Sequence, residues 1–470
     1  MRCKSLGSSK LIPCKDSKKP PAAINFRHYL FLVRIRSHAL FVSPITLTGR
    51  REKINLFLHE NQKNNDYFWV EYQYLNLKDK MENRKLRMGM VGGGSDAFIG
   101  AIHRRAALME NQIELVCGCF SIDPEISRSS GRSYFIPDNR IYPTWQEMIE
   151  KEAALPHEER IDFITIVTPN KFHYEPAMKA LEAGFNVVID KPMTYSLEEA
   201  LRLRDKVRAT GLTFALTHVY SAYPAVKEAK KRIARGDIGK VRRLFVEYSQ
   251  GWLTQRIELK GGNNAVWRND PKAAGKGGCV GDIGTHAWHL AEYVTGAKVT
   301  EVCAELQHIA DGRPLDDDAC AFMHFDQGFS GLLQATQIAA GEENNIRLRV
   351  YGENGGMEWR QLEPNTLYMK WIDRPTEEIR IGNGYASLTD FTKWNTRIPG
   401  GHPEGFIEAF ANIYRNFAWT VRAKANNETP TEEMLDFPTV EDGVRGMQFI
   451  ETMVRAGYHK EVKWQKWIEK

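Results

Sequence analysis

The chain has little cysteine, and what it has forms no pattern: seven residues in 470, at positions 3, 14, 117, 119, 279, 303 and 320. An odd, scattered set argues against a disulfide framework and makes a reducing, cytoplasmic compartment the expectation. Cys117-Gly118-Cys119 reads as small hydrophobes in a strand rather than a metal or redox pair. Long apolar runs are also missing. Tyr29 to Val42 is interrupted by Arg34, Arg36 and His38, and it falls short of the ~20 residues that span a bilayer. No membrane partner is expected. A basic body is the third absence. Net charge is +5, but residues 1–80 hold 15 Lys+Arg against 6 Asp+Glu, leaving 49 against 53, or −4, for the remainder. That balance gives no electrostatic reason to expect nucleic acid. The charged run Lys227–Arg243 reads as the solvated side of an amphipathic helix.

What is present divides into three parts. Residues 1–83 form a basic extension whose first fifty residues carry Asp16 as their only acid and loosely resemble a transit sequence. The working protein is expected to start near Met81. The rest is 84–217 and 218–470, enough chain for two cores. In the first, strand-like runs at Leu86–Val91, Ile113–Cys119, Ile161–Val167, Phe185–Ile189 and Leu212–Leu216 alternate with helix-like segments at 99–109, 144–151, 174–183 and 197–209. Strand and helix in alternation predict parallel βαβ units and a Rossmann-type α/β domain. Ser196 reads as an N-cap and Gly184 as a helix stop.

After residue 218, runs at 241–248, 299–307, 320–325, 331–337, 347–351, 357–360 and 367–371 alternate apolar with polar and are joined by tight turns. They predict an open, mainly antiparallel sheet in a C-terminal α/β domain. Phe406, Ile407, Phe410, Ile413, Tyr414 and Phe417 share one helical face, and a last helix around 441–456 is expected to pack back on the body.

Three motifs carry chemistry. Gly92, Gly94 and Ala97 fit G-x-G-x-x-G/A between a strand and a helix, a cradle for a dinucleotide pyrophosphate. The second strand ends without a carboxylate for a ribose 2′-OH, which tilts the choice between NAD and NADP slightly to NADP, with Ser121 and Arg128 as donors to a 2′-phosphate. Thr168, Asn170 and His173 follow the third strand and are candidates for the ribose or nicotinamide. Lys191, in Asp190-Lys191-Pro192 at the end of the fourth strand, is a placed cation suited to a substrate oxygen. In a helix expected from Gly281, Asp282, His286, His289 and Tyr293 follow i, i+4, i+7 and i+11 on one face, and Gly284 suggests a close approach. Asp282, His286 and His289 lack a further ligand to complete a zinc site, so no metal is expected.

From about Arg84 onward the chain resembles the glucose–fructose oxidoreductase, inositol dehydrogenase and rhizopine-catabolism (Gfo/Idh/MocA) family. The resemblance rests on Gly92-Gly93-Gly94, Thr168-Pro169-Asn170 with His173, Asp190-Lys191-Pro192, Trp267-Arg268-Asn269-Asp270-Pro271 and Asp282-Ile283-Gly284-Thr285-His286, in that order. It implies a nicotinamide cofactor, a sugar, cyclitol or sugar-derivative substrate, and a homo-oligomer, dimer or tetramer, built on the open sheet. The chain departs from the family at two points. Asp190 replaces the usual Glu, and His289 stands where a second acid is common, which bears on the substrate's hydroxyl pattern.

The resemblance and the motifs together predict an NAD(P)-dependent oxidoreductase acting on CH–OH groups. In it His286 is the general acid/base, Asp282 orients His286, and Lys191 steadies charge on the reacting oxygen. Trp267, Arg268 and His289 would contact the substrate. The alternatives are an NAD-dependent glycoside hydrolase of the same fold and a non-catalytic dinucleotide-binding regulator.

Overall fold

Five short apolar strands make the first sheet. A computed structural model describes residues 84–469 apart from Asp96, Gly262 and Lys460; the extension at 1–83, with its Tyr29–Val42 run, lies outside the described residues. Strands β1 (Leu86–Gly92), β2 (Ile113–Cys119), β3 (Phe163–Val167), β4 (Asn186–Ile189) and β5 (Phe214–Leu216) pair in parallel in the order β2-β1-β3-β4-β5. Every residue of β3 is buried, as befits a strand covered on both faces. Helices Phe98–Met109, Trp145–Ala154, Tyr174–Glu182 and Leu197–Thr210 fall where the periodicity places them. Ser196 caps the last of these in a capping box with Glu199, and Gly211, at φ +68°, ends it. Helix Pro124–Ser133 escapes periodicity because Ile126 is its one large apolar residue. Its start is marked instead by Asp123, which accepts from the N–H groups of Glu125 and Ile126.

The second sheet has nine strands: β6 (Val241–Ser249), β7 (Val299–Gln307), β8 (Asp318–Phe325), β9 (Ser330–Thr336), β10 (Asn345–Gly352), β11 (Gly355–Arg360), β12 (Thr366–Trp371), β13 (Glu377–Arg380) and β14 (Gln465–Lys466), in the order β13-β12-β11-β10-β6-β9-β8-β7-β14. Its pairings are antiparallel except one. β6 and β9 run parallel, so the chain between them must cross over rather than turn. That crossing chain carries residues 250–295, with most of the candidate site. Leu244, Val246, Ile346, Leu348, Leu333 and Ala335 face the core, while Phe322 on the other face is half exposed. Cys117, Cys119, Cys279, Cys303 and Cys320 are free thiols, and among the described residues no helix is long and apolar enough to cross a membrane.

The last two helices, Phe406–Ala425 and Val440–Tyr458, return to the first sheet. Leu216 donates its N–H to Pro438 O at 2.8 Å, and the rings of Phe163 and Phe417 pack edge to face at 5.0 Å. The chain's end therefore helps to build the layer begun by its start.

Helix Thr285–Thr295 is tied down by a buried ionic cluster. Tyr293 donates to both carboxylate oxygens of Asp436, at 2.9 and 2.8 Å, and Asp436 also pairs with Lys227 and Lys230. Lys227 is 1 % exposed, which corrects the reading of its helix, Pro224–Ala234, as a purely solvated charge run: the side chain is spent inside. Asp436→Asn would leave that ammonium buried without its counter-charge, a change that typically costs about 3–5 kcal/mol. We expect a matching loss in urea unfolding, and Lys227→Met added to Asp436→Asn should recover most of it. A double variant no more stable than the single would contradict this.

Candidate active site

The phosphate cradle is built by exclusion of side chains. β1 leads into Gly92 at φ +80° and Gly93 at φ +73°, left-handed conformations that favour glycine. A Cβ on Gly100 would lie 2.3 Å from Gly93 Cα. Gly100, rather than Ala97, is therefore the residue that lets helix Phe98–Met109 press against the loop. Ala97 is its N-cap residue, and Gly94 ties the loop to the end of β2 by donating to Phe120 O at 3.0 Å. Arg104 donates to Gly93 O at 2.6 Å with its guanidinium stacked over Tyr134. No acid stands in the first turn of the helix. A bare turn at a positive helix end fits a dinucleotide pyrophosphate.

Around this cradle the other expected ligands divide. Ser121 Oγ accepts from Asp123 N at 3.2 Å, and Arg128 is paired with Glu125 at 3.4 Å on the exposed side of its helix. Thr168 Oγ1 donates to Phe172 O. Asn170 Nδ2 donates to Ala274 O at 2.9 Å, latching the segment 263–274 onto the first sheet. His173 is buried with its ring nitrogens 2.9 Å from Pro192 O and 2.7 Å from Thr168 O. Its place as a cofactor ligand is corrected: it clamps the ends of β3 and β4 together, with no free edge for a ligand.

Lys191 is the centre of the site. It leaves the end of β4, where Asp190 Oδ1 accepts from Lys191 N at 2.9 Å and from Thr217 Oγ1 at 2.7 Å. Its ammonium donates to Asp282 Oδ1 at 2.7 Å and Asp282 O at 2.6 Å, with side-chain exposures of 13 % and 19 % for the pair. Burial alone would raise the Asp282 carboxyl, but Lys191 and then Arg268 outweigh it and hold it well below the usual carboxylate range. Gln337 Nε2 donates to the second oxygen at 2.8 Å, and Arg268 Nε lies 3.5 Å from it.

Asp282 reaches Lys191 because the helix does not begin as an α-helix. Residues Val280–Gly284 make one π turn before Thr285–Thr295, a feature common at functional positions. Asp282 turns to Lys191, while His286, His289 and Tyr293 keep a shared side. Asp282 makes no hydrogen bond to His286 among the described residues, which corrects the expectation that it orients that ring. Asp316 secures the turn, accepting from Gly278 N and Val280 N at 2.7 Å each; burial pushes its carboxyl up to about 6. The close approach at Gly284 is also internal: a Cβ there would meet Val280 Cγ2 at 3.2 Å and Phe449 at 3.5 Å.

His286 is buried against the edge of Tyr220, centroid to centroid 5.0 Å. Its Nδ1 is 3.5 Å from His218 Nδ1. Burial, then the neighbouring Lys191 charge, lowers its pKa well below that of an ordinary imidazole, so at neutral pH it is an uncharged base. His289 lies 4 % exposed beneath His218 and pairs with Asp442. Asn170, Trp267, Arg268, Asn269, Asp282 and Gln337 line a narrow cleft. Neither histidine is among its lining residues; His289 instead packs under His218 beside Asp442.

Several residues of the site carry no sequence signal of their own. Gln337, Gln250, Asn344, Tyr248 and Tyr220 form a hydrogen-bonded chain leading from Asp282. The first four meet because β6, β9 and β10 are neighbours, and Tyr220 joins them from the turn Val219–Ala222. His218 is not among the residues the sequence analysis singled out, although its place after the C-terminal end of a parallel strand is a signal that could have found it.

Comparison with known proteins places the chain in a family. Residues 86–218 match the oxidoreductase family with an NAD-binding Rossmann fold, and residues 226–358 match the GFO/IDH/MocA C-terminal domain. The Bacillus subtilis oxidoreductase YfiI is 30 % identical over 394 residues, 83 % of this chain and 98 % of its own. The crystal structure of an inositol dehydrogenase homolog from Azotobacter vinelandii, complexed with NADH and myo-inositol, is similar at TM-score 0.76 and 30 % identity, over 83 % of this chain and 99 % of that one. The scyllo-inositol 2-dehydrogenase (NAD(+)) of Bacillus subtilis is 30 % identical over 302 residues, 61 % of this chain and 76 % of its own. The chain belongs to the Gfo/Idh/MocA family of NAD-binding oxidoreductases.

The cradle yields a direct expectation. Gly100→Ala forces the helix off Gly93, so NAD should bind at least about tenfold more weakly in calorimetry, about 1.4 kcal/mol. Unchanged affinity would contradict the assignment of the loop.

Proposed function

We propose that this member of the Gfo/Idh/MocA family oxidises a secondary hydroxyl of a cyclitol or sugar to the ketone, and catalyses the reverse reduction, with NAD as cofactor. The observation that carries the reading is the Lys191–Asp282 pair: an ammonium fixed 2.7 Å from a buried carboxylate, at the end of a parallel strand two strands from the phosphate cradle. The relatives support the substrate class, one solved with myo-inositol and one acting on scyllo-inositol by its name.

Gly92, Gly93 and the start of helix Phe98–Met109 would hold the pyrophosphate, and Ser121 the adenosine ribose. We favour NAD over the NADP that the missing strand-end carboxylate suggested. Asp123 places a carboxylate two residues from Ser121, and Arg128 is already paired with Glu125. The nicotinamide, when bound, supplies the acceptor for the two electrons and the carbon-bound hydrogen. The protein does the rest. Lys191 donates to the reacting oxygen and stabilises its negative charge. Asp282 and Gln337 fix the direction of that ammonium. His286 takes the hydroxyl proton in oxidation and returns it in reduction. Trp267 and Arg268 cover the substrate from the cleft wall.

A nicotinamide-absorbance screen of inositols, sugars and their keto forms with NAD and NADP tests the reading; no turnover on any polyol would overturn it. Lys191→Met should lower kcat at least about 10²-fold while leaving NAD affinity unchanged, and an equal loss of both would count against its role. Because His286 stays neutral below the ordinary imidazole pKa of about 6.5, kcat/KM for oxidation should show no inflection there. Its acid limb should fall at lower pH, and a midpoint near the ordinary value would contradict the buried base.

A further inference from the structure

Gln337 follows the end of β9 with its main chain pinned on both sides: its N–H donates to Asp317 O, and its carbonyl accepts from Leu253 N, each at 3.0 Å. The residue is 2 % exposed and lines the cleft beside Asp282. We propose that Gln337 is a specificity-determining residue: its side-chain carbonyl accepts a hydrogen bond from a substrate hydroxyl on a carbon next to the one being oxidised. The inference rests on the oxidoreductase reading above and deepens it, because it names a hydroxyl pattern that the site requires.

The Gln337 amide can face the cleft in only one way. Trp252 Nε1, which donates and cannot accept, lies 2.9 Å from Gln250, so the Gln250 atom that it meets is the carbonyl oxygen Oε1. Gln337 Nε2 donates to that same oxygen at 3.3 Å and to Asp282 Oδ2 at 2.8 Å. Asp282, paired with the Lys191 ammonium, is a carboxylate with no hydrogen to give. Both neighbours are therefore acceptors, and both amide hydrogens are engaged. Turning the amide over would set oxygen against oxygen twice. Gln250 is fixed in its turn by Asn344, whose Oδ1 accepts from Gln250 Nε2 at 2.5 Å and from Tyr248 OH at 2.8 Å. The remaining atom, Gln337 Oε1, has no hydrogen-bond partner among the described residues. The cleft is thus offered a bare acceptor on a rigid mount.

Its place relative to the reacting centre follows from Asp282. The Lys191 ammonium sits on one oxygen of that carboxylate at 2.7 Å, and the Gln337 amide sits on the other. A substrate oxygen at the ammonium therefore directs the oxygen of the adjoining carbon, one C–C bond away, towards the amide. A hydroxyl there donates to Oε1. A hydrogen, an ether or a fluorine cannot, yet each still displaces water from the carbonyl and leaves a buried acceptor unpaired. A missing hydrogen bond of this kind separates substrates far more sharply than a difference in shape does.

Calorimetry of the NADH complex with myo-inositol and with its monodeoxy and monodeoxyfluoro analogues, one hydroxyl changed at a time, tests the proposal. The wild type should prefer myo-inositol about tenfold or more over the analogues altered beside the carbon that becomes the ketone. At that position the fluoro analogue should bind no better than the deoxy one, since fluorine accepts and cannot donate. With NAD the deoxy analogue should still be oxidised, which separates this hydroxyl from the reacting one. In Gln337→Met, which keeps the length and removes the carbonyl, the preference should shrink to about twofold or less. Binding of every analogue as tightly as myo-inositol by the wild type would overturn the proposal. So would a Gln337→Met protein that binds all of them more weakly in equal proportion, because a side chain that only holds Asp282 would act that way. Gln250→Leu checks the orientation from outside the cleft: the preference should fall while NADH affinity is unchanged, and a preference kept in full would contradict the fixed amide. If no polyol binds or is turned over, the functional reading fails and this inference with it. Turnover without the expected preference removes the inference alone.

Discussion

The site depends on one bond between two parts of the chain that are 91 residues apart. Lys191 belongs to the end of β4, and Asp282 belongs to the turn that enters helix Thr285–Thr295. Both side chains are largely removed from water. A buried pair of this kind contributes little net stability once desolvation is counted, yet breaking it from one side is costly. Its main effect is therefore geometric: the ammonium cannot drift, and it points where the two layers meet.

Much of the surrounding structure can be understood as support for that geometry. The parallel pairing of β6 with β9 forces the intervening chain across the sheet, which brings residues 250–295 over the strand ends of the first layer. Asp316 pins the start of the π turn through two backbone N–H groups. The Tyr293–Asp436–Lys227 cluster fixes the far end of the following helix. On the other side, His173 locks the ends of β3 and β4, so Lys191 emerges from a rigid base. Rigid elements at both ends suit a site whose donor must meet a short-lived charge without rearranging.

The sequence made the fold class and the central lysine legible because both are written in local patterns. Apolar runs of five to seven residues between helical segments announced the parallel strands. Asp190-Lys191-Pro192 stood at a strand end, where ligands bind in such sheets. The glycine turn was legible too, though its third member was misplaced. Gly100 does the packing, and only the close approach of helix and loop shows it. Other misreadings have a common cause. Helical periodicity put Asp282 and His286 on one face, but the helix opens with a π turn, which no local signal announces, and Asp282 bonds to Lys191 and Gln337 instead. His173 looked like a ligand because histidine at a strand end usually faces the ligand crevice. Here hydrogen bonds to Pro192 O and Thr168 O occupy both ring nitrogens. Lys227 went unrecognised as buried because its partner, Asp436, lies 209 residues away.

The direct test of this dependence is a double-mutant cycle on kcat/KM for polyol oxidation, comparing Lys191→Met, Asp282→Asn and the two combined. If the carboxylate acts by holding the ammonium in place, the double variant should be no slower than Lys191→Met alone. Losses that simply multiply would show that the two side chains act independently, and the account of the site would be wrong.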